Sequence, residues 1–103
     1  KGLELGCEGI ITATCNVTAA ISRKVYDDFI NKKSQTVNEL LCNVRGVFDQ
    51  FNLISGLHTF MSDEDSAYKN ILPPLSLLNT KDKKKLLEEL NKFNFTLKSL
   101  KAA

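Results

Sequence analysis

Apolar residues spaced three or four apart recur through most of this sequence, and that spacing restricts its fold to helices more than any other feature does. Ile21, Val25 and Phe29 recur every four residues, with Arg23, Lys24, Asp27 and Asp28 between them. Leu40, Leu41, Val44, Val47, Phe48 and Phe51 make one broad apolar face, and Leu86, Leu87, Leu90 and Phe93 make another. A helix turns once in about 3.6 residues, so side chains at these spacings share one side and need a partner to cover them. The spacing predicts helices over residues 18–31, 34–51 and 80–93, with Ser34 and Thr80 as the N-caps of the last two. Leu53, Ile54, Leu57, Phe60 and Met61 suit a further short helix. Gly46 inside the second pattern costs about 1 kcal/mol against alanine, which points to a close helix contact there. Pro73-Pro74 forbids a helix across it and predicts an extended connection. The tail from Asn94 continues the last helix or frays.

The start of the chain follows another rule. Residues 1–5 read as the last turn of a helix, with Gly6 as its left-handed cap. Gly9-Ile10-Ile11-Thr12-Ala13-Thr14 is short, β-branched and bounded by glycine, which predicts a strand. Adjacent Ile10 and Ile11 would point to opposite faces, as in a strand covered on both sides. Such a strand needs neighbours.

The 103 residues suffice for one small domain. Fourteen basic against twelve acidic side chains give a net charge of +2, which marks neither nucleic acid nor membrane as a partner. No window reaches the roughly 18 to 20 apolar residues of a membrane span. The opening Lys1-Gly2-Leu3-Glu4 carries no secretory pattern and no initiator methionine, so a truncated or processed chain is expected. Cys7, Cys15 and Cys42 are odd in number and lack CxxC spacing; reduced, partly buried thiols in a cytoplasmic setting are expected. The N-x-S/T triplets at Asn16 and Asn94 need a secretory context to matter.

Few residues suggest chemistry by themselves. His58 is the only histidine, with no ligand partners at metal spacing, so a structural or surface role is expected, or a place at a subunit interface. Asp63, Glu64 and Asp65 lack the alternation and the later glutamate of a calcium loop. The run Lys81-Asp82-Lys83-Lys84-Lys85 has no interleaved aromatic platform and reads as a solvated helix face. Gly2, Gly6 and Gly9 precede the predicted strand, whereas a phosphate-cradling loop follows one. No GxSxG elbow occurs. No metal ligand set is expected.

Two phrases carry a resemblance. Gly6-Cys7-Glu8-Gly9-Ile10-Ile11-Thr12-Ala13-Thr14-Cys15-Asn16-Val17 resembles the last barrel strand of the dihydrodipicolinate synthase/N-acetylneuraminate lyase family, whose members show G-x-x-G-V-I-S-x-T-A-N-V. Gly9, Ile11, Thr14, Asn16 and Val17 match directly, while Thr12 stands for serine and Cys15 for alanine. Asn70-Ile71-Leu72-Pro73-Pro74-Leu75-Ser76-Leu77-Leu78 is similar to the proline phrase before the family's final helix. The order of elements between the phrases agrees as well, so the resemblance covers essentially the whole chain. Asn52-Leu53-Ile54-Ser55-Gly56-Leu57-His58 departs from the N-P-I-P-V-K phrase of the synthases, which leaves sugar-acid lyases and aldolases of the family open.

The resemblance implies a mainly α chain: a helical bundle with one short N-terminal strand, being the last βα unit and C-terminal helical domain of a (β/α)₈ barrel protein. Residues 1–31 would be the last strand and helix of the barrel, and residues 32–103 the helical domain. It further implies a lyase that forms an imine between a barrel lysine and a 2-oxo acid, usually pyruvate, without a cofactor. That lysine ends the sixth strand, and the relay tyrosine and carboxylate-binding threonines come earlier, so no catalytic residue is expected among residues 1–103 and the fragment alone is expected to be inactive. One substrate-binding position carries over: Ile11, through its backbone carbonyl near the imine. A homo-oligomer is expected, with no nucleic-acid or membrane partner. The competing expectation is a stand-alone helical interaction module whose first strand adds to a partner's sheet.

Overall fold

In the computed structural model, residues 1–102 are described, with side chains through residue 100. The described residues form five α-helices: α1 (Cys15–Ile30), α2 (Asn38–Phe48), α3 (Leu53–Met61), α4 (Thr80–Asn91) and α5 (Leu97–Ala102). Short 3₁₀ turns lie at Leu3–Leu5 and Ser66–Lys69. No strand occurs among the described residues. The chain divides into two compact units, Lys1–Cys42 and Asn43–Ala103, with the division inside α2.

In the first unit the opening turn ends on Gly6 at φ 90°, the left-handed region that glycine enters without a Cβ clash. Gly6 N donates to Leu3 O at 3.0 Å and closes the turn. The predicted strand over residues 9–14 does not form. From Glu8 to Ile11 no main-chain group takes part in a hydrogen bond among the described residues. The physical reason is the absence of a partner. β-branched residues favour extended backbone, but a strand is stabilised by a ladder with a second strand, and none is at hand.

α1 starts three residues before the predicted position. Thr18, at φ −119° and ψ 15°, interrupts its first turn, and Thr18 Oγ1 donates to Thr14 O at 2.9 Å. That back-bond from a β-branched hydroxyl bends a helix and marks where the spacing becomes regular. Arg23 and Asp27 pair at 2.9 Å on the solvent side, four residues apart and worth a few tenths of a kcal/mol, whereas Lys24 reaches in to the buried Asp28 at 2.9 Å. The helix stops where predicted. Lys32 takes φ 56°, and Lys33 N donates to Asp28 O at 2.7 Å. Ser34 is not the cap of the next helix. Gln35 Nε2 donates back to Val25 O at 3.1 Å, which holds this segment outside the helix, and α2 opens only at Asn38.

The second unit holds the main core. Val44, Val47 and Phe48 from α2 lie with Leu57 and Phe60 from α3, Leu86 and Leu90 from α4, and Phe95. Phe60 is at its centre. Its ring meets Phe48 edge-on, with centroids 5.8 Å apart, and stacks on Phe95 at 5.7 Å. Gly56 lies at a close approach of α3 to this ring: a Cβ there would sit 3.4 Å from Phe48 Cδ1, at the near edge of ordinary van der Waals contact. Gly46 does not: it is exposed, and nothing lies within 4 Å of where its Cβ would be. The close approach sits ten residues later than the sequence suggests, because facing side chains decide it and spacing does not.

α3 and α4 are capped by Asn52 and Asn79, whose side-chain oxygens accept from Ser55 N at 3.0 Å and Asp82 N at 2.8 Å. Thr80, the expected cap, is the first residue of α4 instead. Residues 70–79 lead from the 3₁₀ turn at Ser66–Lys69 to α4 without helical structure, and the Pro73–Pro74 bond is cis. Leu78 N donates to the buried Thr59 Oγ1 at 2.9 Å, fastening this connection to α3. After α4, Asn94 takes φ 55°, a conformation asparagine tolerates better than most residues, and returns Phe95 to the core.

Candidate functional site

Ile11, the one position expected to touch substrate, has a fully exposed side chain, and Ile10 beside it is 66% exposed. Neither is packed, and the Ile11 carbonyl accepts no main-chain hydrogen bond. No described catalytic group is drawn toward it. Leu5 is exposed as well, so the first unit presents several uncovered apolar side chains and an unpaired stretch of backbone close together in sequence.

The remaining residues with chemical potential are used locally. His58 Nδ1 lies 2.8 Å from Tyr68 O; a carbonyl only accepts, so Nδ1 carries the proton. The ring also meets Tyr68 edge-on, and this pins the 3₁₀ turn at Ser66–Lys69 to α3. In the acidic stretch, Asp65 Oδ1 accepts from Ala67 N at 2.8 Å and Asp63 pairs with Lys83 at 2.7 Å. No group of three or more potential metal ligands occurs among the described residues. In the lysine run, Lys84 faces Glu88 at 3.9 Å and Lys85 lies over the Phe51 ring at 5.9 Å. All three cysteines are free. Cys7 and Cys42 are exposed rather than partly buried, and only Cys15 is half-buried, with Sγ 3.5 Å from Ser22 Oγ. No described helix is long and apolar enough to cross a membrane.

Among the described residues, two clefts of the second unit bear on function. One, of about 460 Å³, is mostly apolar and lies beside Phe60, Leu87, Phe95 and Leu97. The other, of about 430 Å³, is polar and lies where the N-terminal ends of α3 and α4 meet, lined by Gln50, Asn52, Ser55, Asn79, Asp82 and Lys85 among others. Sequence reasoning missed this second cleft. Its signal was present in two asparagines, each three residues ahead of a residue whose amide it caps: Asn52 before Ser55 and Asn79 before Asp82. Comparison with protein-family models, with curated proteins and with solved structures finds no match for this chain.

Proposed function

We propose that residues 1–103 are the last βα unit and C-terminal helical domain of a Schiff-base lyase or aldolase acting on pyruvate or another 2-oxo acid, of the dihydrodipicolinate synthase kind. One observation carries this reading: the Gly6–Val17 phrase is charge-free after Glu8, keeps its main chain unpaired from Glu8 to Ile11, and leads directly into amphipathic α1. A parallel barrel strand followed by its crossover helix has this character, with its neighbouring strands supplied by earlier βα units. The helices of the second unit, with their own core, suit the appended domain.

In such an enzyme a lysine amine adds to the 2-oxo carbon, and loss of water leaves an imine. The imine withdraws electrons and stabilises the carbanion formed when the adjacent carbon–carbon bond is made or broken. The Ile11 carbonyl would accept a hydrogen bond from the imine nitrogen or its proton carrier, which requires Ile11 backbone to face the site while its side chain packs elsewhere. A stand-alone interaction module that adds a strand to a partner's sheet draws on the same unpaired segment.

The two readings separate in a mass measurement. With pyruvate and borohydride, the product of the whole reading frame is expected to gain one pyruvyl group per chain, and residues 1–103 alone none. A stoichiometric adduct on residues 1–103, or none on the longer product, contradicts the proposal.

A further inference from the structure

The apolar cleft of the second unit has no part in the lyase reading, and its lining carries an inference of its own. The left-handed turn at Asn94 sends the chain back after α4, so that Phe95 enters the core and α5 begins at Leu97. The reversal leaves a cleft of about 460 Å³, with the buried Phe60 and Phe95 at its base and the half-buried Leu87 and Leu97 along its sides. Small-molecule sites have volumes of roughly 300–1,000 Å³ and the same make-up, an apolar lining with a few polar groups that fix orientation.

Those polar groups decide what fits. Glu88 is already answered by Lys84 at 3.9 Å. Lys98 is exposed, and its ammonium belongs to no ion pair or hydrogen bond among the described residues. Two lysines against one glutamate leave this rim with a positive charge in excess. A neutral ligand would leave Lys98 unanswered, and a cation would add to the excess. The carbonyls at the end of α4, which would repel an anion, are taken up by the turn: Glu88 O, Leu90 O and Asn91 O accept from Lys92 N, Phe93 N and Asn94 N. An apolar body with one anionic head therefore uses both the lining and the free charge. Phe60 and Phe95 are stacked on each other at 5.7 Å and buried, so the base offers no open ring face and suits an alkyl tail better than an aromatic one.

We propose that this cleft binds a medium-chain fatty acid. Lys98 Nζ holds the carboxylate, the Asn91 side chain donates to its second oxygen, and the tail lies along Leu87, Phe95 and Leu97.

The test is an amide NMR titration of the 103-residue chain with hexanoate, octanoate and decanoate, each below its micelle-forming concentration, and with octylammonium as the control of equal length. Saturable shifts centred on Leu87, Asn91, Leu97 and Lys98 are expected. Affinity should rise roughly fourfold for every two carbons, as for methylenes about half removed from water in an open cleft. Lys98→Ala should weaken octanoate about threefold, the usual worth of an exposed ion pair, and leave octylammonium no weaker. Lys98 is exposed, so this variant reads the site without disturbing the core. Leu97→Ala should cut the gain for every two carbons to roughly twofold. Octylammonium binding as tightly as octanoate, affinity indifferent to Lys98→Ala, shifts with anionic phospholipid vesicles but none with octanoate, or no saturable shift with any fatty acid would each overturn the proposal.

Discussion

Replacing Phe60 by alanine is expected to destabilise the second unit by about 3–5 kcal/mol. The side chain is fully buried, so the change removes its transfer free energy and leaves a cavity among Leu, Val and Phe side chains. It also removes an edge-on contact with Phe48 and a stacked contact with Phe95, pairs worth about 0.5–1.5 kcal/mol each beyond burial. A unit of roughly 60 residues has only about 3–9 kcal/mol to lose, so the variant should be unfolded or close to it at room temperature. Urea titration followed by circular dichroism reads the effect. Ile54→Ala, at a position 40% exposed on the same helix, serves as control and should cost well under half as much. A Phe60→Ala loss below about 1 kcal/mol would mean that the three rings do not form the centre of the core.

The isolated chain is expected to self-associate through the segment around Ile10 and Ile11. Unpaired N–H and C=O groups run from Glu8 to Ile11, no charge follows Glu8 until Arg23, and both isoleucines are exposed. An uncharged β-branched edge of this kind pairs readily with another chain, and a two-fold antiparallel pairing is the simplest closed arrangement. Light scattering after size exclusion should therefore give about twice the 11.5 kDa chain mass at micromolar concentration. Ile11→Lys places a charge on that edge and forfeits about 1.5–3 kcal/mol of burial per copy, so the dimer should weaken by about 3–6 kcal/mol and run as monomer. A monomeric parent chain, or a dimer insensitive to Ile11→Lys, would locate association elsewhere or remove it.

The helices were legible because their apolar spacing is regular. Val44, Val47, Phe48, Leu86 and Leu90 sit in the core where the spacing puts them. The first helix is a weaker case: Ile21 and Val25 are half-buried and Phe29 is 36% exposed, so its apolar side is incompletely covered. What local pattern could not supply was anything that depends on a distant partner. Residues 9–14 have the composition of a strand, but composition does not say whether a second strand is available. The value of Gly56 depends on Phe48 lying across from it, and no spacing rule distinguishes it from Gly46. Phe95 follows a helix that ends at Asn91, and only the left-handed turn at Asn94 returns it to the core. The polar cleft needs two helix starts far apart in sequence to come together, so neither asparagine marks it alone.

The central claim, that residues 1–103 complete a Schiff-base lyase, is tested most directly by sequencing the gene upstream of the Lys1 codon. The account predicts an open frame encoding seven further βα units, with a lysine ending the sixth strand. A frame that starts at or just before Lys1, or one that continues upstream into a sequence without those units and that lysine, would contradict it.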